Sequence, residues 1–264
     1  MKEPKLDSPA LPSLRLDGQV ALVTGTGSGL GQAISLALAE AGADLIITET
    51  PGRLDGAKVT AQGIRARGRE ALVLPLNVTS VKSIERMTER AIRRFSKIDV
   101  LVNNAGINIA QPALEVTEKQ WDEVLSVNLK GVFFCSQIVG REMVKRKSGK
   151  IINIASQNGV IGYYKRAAYC ASKAGVVNLT RVLALEWAPY HINVNAVGPT
   201  FILTPLTEKF FQDRQFSKEI LQRIPLGRLG QPQDVTGAVV FLASPAAALI
   251  TGHTLLVDGG WTAL

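Results

Sequence analysis

Cysteine and histidine are almost missing from this chain. Its 264 residues contain two cysteines, Cys135 and Cys170, and two histidines, His191 and His253. Two cysteines cannot build a disulfide scaffold or a Cys-rich zinc site. Neither histidine has a cysteine or carboxylate at ligand spacing, so no metal-ligand set is available and a histidine-centred triad would rest on one of two isolated residues. A catalytic base is therefore expected to be something other than histidine. Aromatic residues are few, at 6%, and no apolar run approaches the roughly 18–20 residues that a membrane span needs. The opening stretch MKEPKLDSPALPSLRLDGQ is polar and proline-rich and lacks an apolar signal core, so a cytoplasmic protein is expected. Charge is plentiful but lopsided: 30 Lys and Arg against 22 Asp and Glu give +8. That excess leaves anionic partners open, nucleic acid among them.

What is present suits a globular fold with a large core: 46% apolar and 20% charged residues. Residues 1–17, with Pro4, Pro9 and Pro12, read as an extended tail, and 18–264 as a single domain. Short β-branched or leucine-rich runs occur at 19–24, 44–48, 71–76, 98–103, 150–155, 191–197 and 253–257. Their near-continuous apolar character suits parallel strands buried on both faces. Helical patterns lie between them at about 29–41, 54–67, 80–95, 117–143, 167–187 and 231–243, the fourth opened by a Thr117/Gln120 capping box. This alternation predicts an α/β fold, a single Rossmann-type doubly wound sheet of about seven strands with helices on both faces. The segment 200–230 breaks the rhythm. It carries Phe201, Phe210, Phe211 and Phe216 among charged residues, and is expected to be a lid inserted after a strand end.

The first strand runs into Gly25, Thr26, Gly27, Ser28, Gly29, Leu30 and Gly31, and a helix follows. Glycines there let the backbone turn tightly and approach a ligand, and the helix N-terminus offers free N–H groups to a pyrophosphate. The second strand ends at Glu49, where a carboxylate can accept from both ribose hydroxyls and would repel a 2′-phosphate. This favours NAD over NADP, with Arg53 as the nearest cation. Tyr169 and Lys173 stand four apart on a helical pattern and share a face. An ammonium beside a phenol favours the phenolate and would lower a pKa that is otherwise near 10. Ser156 closes the fifth strand at the sheet edge where open α/β sheets bind ligands.

With those residues in place, the chain resembles the short-chain dehydrogenase/reductase family over about residues 18–264. The resemblance rests on an ordered set: Thr24 to Gly31, Asn103-Asn104-Ala105-Gly106, Asn128, Ser156, Tyr169-x-x-x-Lys173 and Asp258-Gly259-Gly260. It implies a nicotinamide-dependent oxidoreductase acting on CH–OH groups by hydride transfer, with Asn128, Ser156, Tyr169 and Lys173 as the catalytic set. Tyr169 would exchange the proton, Ser156 would bond the reacting oxygen, and Lys173 would bind the nicotinamide ribose. Asn128 would hold a water that links Lys173 to solvent. For the cofactor the resemblance adds contacts from Asn77, Val78, Asn104, Ala105, Gly106, Tyr169, Lys173, Pro199, Ile202 and Thr204. Asn77 stands where many members have aspartate, and Thr200 where the family usually has glycine. The resemblance also implies a homotetramer, less often a dimer.

The substrate pocket is expected from Ser156, Asn108, Gln157, Asn158 and Tyr164, with Tyr163, Lys165 and Arg166 nearby. Amides and phenols suit a polyhydroxylated small molecule, so a sugar, sugar acid or polyol is expected, and Lys165 or Arg166 could meet a carboxylate. A 3-oxoacyl-thioester reductase is the alternative within the family. A different class, a nucleic-acid-binding or scaffold protein on a dinucleotide fold, is suggested by Arg65-Arg67-Arg69 and Lys145-Arg146-Lys147. No nucleic-acid motif accompanies those clusters, and neither nucleic acid nor a membrane is expected as a partner.

Overall fold

Val20, Leu22 and Ile46 face one way along the first two strands, Ala21, Val23, Leu45 and Ile47 the other, and both sets are buried. Successive strand residues point to opposite faces, so runs without a polar position must be covered on both sides. The computed structural model describes residues 12–205 and 207–263 and shows how this is met. Seven strands, β1 (Val20–Thr24), β2 (Asp44–Glu49), β3 (Ala71–Pro75), β4 (Val100–Asn103), β5 (Gly149–Ile154), β6 (Ile192–Pro199) and β7 (Thr254–Val257), form one sheet in the order β3-β2-β1-β4-β5-β6-β7. Every neighbouring pair is parallel.

Helices α1 (Gly29–Glu40), α2 (Leu54–Arg65) and α9 (Pro232–Ala243) bury Ile34, Leu38, Ile64 and Val239 on one face. On the other face α3 (Val81–Phe95), α5 (Gly131–Arg146) and α6 (Ala167–Trp187) bury Met87, Val139, Met143 and Leu183. Cys135 belongs to that second layer, and burial pushes its thiol up to about 12, which keeps it an inert apolar side chain. The order of strands reverses direction between β1 and β4. That is the switch point at whose carboxyl edge ligands bind in such sheets. Thr24 ends β1 there and Asn103 ends β4.

Two expectations need correction. The helix expected over 117–143 is two helices, α4 (Glu118–Leu125) and α5, joined by a π-helical turn at Ser126–Lys130. The wider turn re-aims Asn128, as described below. The tail does not extend to residue 17, because Leu16 is wholly buried and its N–H bonds the Ala41 carbonyl at 2.7 Å. Burying a leucine is worth about 1.5–3 kcal/mol, enough to anchor the chain ahead of β1. Pro4 and Pro9 lie outside the described residues.

The basic clusters are largely paired within the chain. Arg67 pairs with Glu40, Arg69 with Asp44, Lys145 with Glu142 and Arg146 with Asp99. Arg65 bonds the Ala71 carbonyl, and Lys147 takes the left-handed position that ends α5. Five of the six cations in these clusters thus have partners within the chain. Among the described residues, no helix is long and apolar enough to cross a membrane.

Candidate active site

The glycine loop is shaped by contacts that leave no room for side chains. A Cβ on Gly31 would lie 2.0 Å from the Gly25 carbonyl oxygen and 2.5 Å from Asn104 Nδ2. Gly25 has a left-handed φ of 71°, and its Cβ would meet Ala105 Cα at 3.0 Å. Asn104 pins this crossing, donating through Nδ2 to the carbonyls of Thr24 and Gly25 at 2.9 Å each. Thr24 Oγ1 accepts in return from the N–H groups of Asn104 and Ala105. Ser28 precedes α1 without a side-chain cap, and the first turn holds no acid. The positive end of α1 is thus open, as a pyrophosphate requires.

Glu49 stands at the far side of the loop. Its Oε2 accepts from Gly27 N and its Oε1 from Thr50 N, both at 2.9 Å. A carboxylate fixed against the loop backbone suits a ribose diol and opposes a 2′-phosphate. Arg53 is exposed and pairs with no carboxylate among the described residues, so nothing there neutralises Glu49. Asn77 Oδ1 accepts from the N–H and hydroxyl of Thr79, closing a turn that leaves its amide nitrogen outward. Val78 packs where a Cβ on Gly131 would come within 3.1 Å, so this glycine lets α5 meet the loop after β3.

Asn128 is fully buried and aimed sideways by the π turn. Its Oδ1 accepts from Ile107 N at 2.8 Å, and its Nδ2 donates to Ile107 O at 2.8 Å and Ser172 Oγ at 3.2 Å. Both amide hydrogens are therefore spent. Only one Oδ1 lone pair remains for a water, so the side chain acts first as a clamp on the loop that carries Gly106. Ser172, which the sequence reading missed, hands that clamp on to the Tyr169 carbonyl at 2.7 Å. Its position next to Lys173 was the available signal.

Tyr169 and Lys173 lie in the first two turns of α6, and Lys173 Nζ is 5.7 Å from the Tyr169 ring centroid. The ammonium is 4% exposed and donates to the Ile154 carbonyl at 2.7 Å. Burial pushes it down to about 8. Ser156, two residues past β5, is also buried, and its Oγ accepts from Asn158 N. Burial pushes the Tyr169 phenol above its ordinary value, more than Ser156 and the charge of Arg166 draw it down. The expected lowering by Lys173 is thus not met in the protein alone. Desolvation dominates.

The rest of the pocket comes from distant segments. Gln157 and Asn158 are buried beside Ser156, while Tyr164 and Asn108 are exposed at the rim. Within the 200–230 segment, α7 (Glu208–Phe211) and α8 (Arg214–Gln222) bring Phe211, Phe216 and Ile220 into an aromatic cluster with Phe201, Tyr163 and Trp261. The side chain of Phe210 lies outside the described residues. Phe201 stacks on Trp261 at 5.7 Å, a contact across sixty positions of chain that no local pattern signals. Asp258 sets that indole in place. Burial pushes its carboxyl up, but bonds from Thr262 and Gly260 outweigh this and hold it below the usual range. Pro199 ends β6, and Thr204 lies 3.4 Å from where a Cβ on Gly29 would sit, so the 200–230 segment begins against the glycine loop. Thr200 has no positive φ and needs no glycine. The Ile202 carbonyl accepts from Thr207 Oγ1 at 2.6 Å. His191 and His253 lie away from all of this, at the two ends of the turns flanking β6 and β7.

A family model described as enoyl-(acyl carrier protein) reductase matches residues 25–262, a span that takes in the glycine loop, Asn128, Ser156, Tyr169, Lys173 and the 200–230 segment. The chain belongs to the short-chain dehydrogenase/reductase family. It is accordingly a nicotinamide-dependent dehydrogenase or reductase acting on CH–OH groups. Among curated members, it is 45% identical over 257 residues to a 2-dehydro-3-deoxy-D-gluconate 5-dehydrogenase of Dickeya dadantii, covering 96% of this chain and 99% of that one. It is 43% identical to an NAD-dependent glycerol dehydrogenase of Listeria innocua, covering 92% and 94%. Among solved structures, a gluconate 5-dehydrogenase from Burkholderia cenocepacia in complex with NADP and tartrate superposes with a TM-score of 0.92. That enzyme is 37% identical, and the match covers 97% of this chain and all of that one.

Proposed function

We propose that this enzyme is an NAD-dependent sugar-acid dehydrogenase interconverting a secondary alcohol and a ketone, with Tyr169 as general base and acid. The observation that carries the reading is the convergence of Ser156, Tyr169 and Lys173 at the carboxyl edge of the sheet, beside the buried amides of Gln157 and Asn158. The atoms Gln157 Nε2, Gln157 Oε1 and Asn158 Oδ1 are buried and meet no partner, which suits a substrate rich in hydroxyl groups. The relative in Dickeya dadantii and the neighbour from Burkholderia cenocepacia, both named for sugar acids, support this substrate class.

The cradle fits a dinucleotide because Gly25 and Gly31 cannot carry side chains and α1 opens onto it. Bound there, the nicotinamide supplies the hydride acceptor or donor. The protein's part is positional and electrostatic. Gly25 to Gly31 receive the pyrophosphate, and Asn77, Val78, Asn104, Ala105 and Gly106 line the adenosine side and trough. Pro199, Ile202 and Thr204 close over the nicotinamide end.

In the oxidising direction, Tyr169 Oη takes the substrate hydroxyl proton and Ser156 Oγ bonds the same oxygen. Lys173 holds the nicotinamide ribose, and its charge favours the phenolate once the site is filled. Asn128 fixes the loop that walls Lys173 in. The segment from 200 to 230 acts as the lid. Glu49 supports NAD as the cofactor; the NADP in the Burkholderia cenocepacia neighbour belongs to that protein. The exposed Trp121, Val182 and Leu185 on α4 and α6 support the homotetramer that the family implies.

The test is turnover of a panel of aldonates, polyols, secondary alcohols and 3-oxoacyl thioesters with NAD and NADP. Aldonates are expected to lead, and Tyr169→Phe is expected to abolish turnover while NAD still binds. Near-normal activity of that variant would overturn the base assignment, and exclusive turnover of an apolar alcohol would overturn the substrate class. Reduction of a thioester with NADPH alone would favour the acyl-thioester reading, which the name of the matching family model supports.

A further inference from the structure

Among the described residues, Arg166 is a charge without a counter-charge in the wall of the pocket. Its guanidinium carbon lies 5.8 Å from the Tyr163 ring centroid, 6.0 Å from that of Tyr169 and 5.6 Å from that of Phe201. Its Nε is buried and meets no acceptor. The nearby acid, Glu219, is already engaged by Arg223 and by the Tyr163 hydroxyl, each at 3.4 Å. The backbone around Arg166 is fixed, because it forms a β-bridge with Gln111, whose N–H bonds the Lys165 carbonyl at 2.9 Å. Lys165 itself is exposed, in the left-handed region at φ 57°. Of the two adjacent cations, only Arg166 is set among the residues that surround the reacting group.

The field there is positive in a second way. Arg166 occupies the N-cap position of α6, a helix of 21 residues whose first turn has no side-chain cap and no acid. The positive end of the helix dipole and the guanidinium therefore reinforce each other. Beside Ser156, Gln157 is 1% exposed and neither of its amide atoms has a partner among the described residues. A guanidinium held against aromatic faces keeps its N–H edge for planar, two-point recognition of a carboxylate, which a lysine cannot copy.

We propose that Arg166 is the receptor for the substrate's carboxylate, seating an open-chain sugar acid with its acid end at the N-terminus of α6 and its reacting carbon at Tyr169, while Gln157 bonds a hydroxyl of the same chain. This rests on the sugar-acid reading above and names the residue that makes the acid preferred over the neutral polyol.

The discriminating measurement is the ratio of kcat/KM for six-carbon aldonates, D-gluconate first, to that for the corresponding amides, which keep the carbon chain and lose the charge. The wild-type enzyme, Arg166→Met, Arg166→Gln, Arg166→Lys and Lys165→Met are compared. Removing Arg166 also acts on Tyr169, so the ratio is read beside a binding measurement that involves no turnover. Losing a charge-assisted bond should lower the aldonate-to-amide ratio by about 10- to 100-fold in Arg166→Met and Arg166→Gln. Arg166→Lys should recover part of it, and Lys165→Met should stay within about twofold of wild type.

Calorimetric binding of D-gluconate and D-gluconamide to the NAD-loaded Tyr169→Phe protein, with and without Arg166→Gln, should show the same ordering without turnover. An unchanged ratio in both neutral variants overturns the receptor and leaves the sugar-acid reading standing. A wild-type enzyme that neither binds nor turns over any aldonate overturns the sugar-acid reading, and the receptor falls with it.

Discussion

Replacing Asn128 by alanine removes the only side chain that satisfies both backbone groups of Ile107, and the cost can be worked out from its contacts. The Ile107 N–H and C=O each lose a 2.8 Å partner. A buried backbone group left unpaired costs about 1–3 kcal/mol, so two would cost about 2–6 kcal/mol. Ile107 is half-buried, and water can reach part of the gap, which favours the lower half of that range. Alanine's better helix propensity returns about 0.7 kcal/mol. The net loss is about 2 kcal/mol, read as a lower midpoint in denaturant at an unchanged slope.

Asn128→Asp provides the electrostatic counterpart. A Cβ on Gly106 would lie 3.3 Å from Asn128 Oδ1 and 3.7 Å from Lys173 Nζ, so the two side chains converge on one point. A carboxylate there would still accept from Ile107 N but would oppose Ile107 O, and it would raise Lys173 from about 8 toward its ordinary value. An alanine variant within about 0.5 kcal/mol of wild type, with an intact pH–rate profile, would refute the clamp.

Glu49→Ser should erode the proposed preference for NAD over NADP. A like charge about 4 Å from a carboxylate costs up to about 4 kcal/mol at an effective dielectric of 20, and screening at this half-exposed site leaves a ten- to hundredfold effect on the ratio of dissociation constants. Titrations with NADH and NADPH would measure it, and a wild-type enzyme that already binds NADPH as tightly would defeat the reasoning. Lys173 makes stability depend on pH in a defined direction. Its folded value, about 8, lies below the ordinary 10.5, so between these the unfolded chain holds a proton that the folded one has lost. Stability should therefore rise with pH through this window, by on the order of 2 kcal/mol between about pH 7.5 and 9.5 relative to Lys173→Met. Tyr169, raised above 10, works in the opposite direction only at higher pH. A flat difference between the two proteins across that window would mean that the amine is not desolvated as the structure places it.

Much of this was legible in residue order, because parallel strands that must be covered twice announce themselves as unbroken apolar runs. All seven strands lie where those runs fall, and the glycine loop, Glu49 and the Tyr169/Lys173 pair sit where local geometry puts them. What was not legible is set by contacts between distant segments. The π turn at Asn128 exists to satisfy Ile107, a partner two helices' worth of chain away in sequence but adjacent across the sheet edge. Leu16 reads as tail until the Ala41 carbonyl appears beside it.

The electrostatics were the least legible part. Spacing alone makes Lys173 the cation that tunes Tyr169, yet spacing carries no information about desolvation. Burial works against the charged form of both groups, raising the phenol and lowering the amine. A positive field at the phenol also comes from Arg166 and the uncapped end of α6, both brought in by the loop that precedes the helix. If that cation is also what the substrate's acid group binds, binding would partly neutralise the charge that draws the phenol down. The burden of favouring the phenolate would then pass to Lys173 and the oxidised nicotinamide at the moment the substrate is in place. A site arranged this way holds its proton until both ligands are bound.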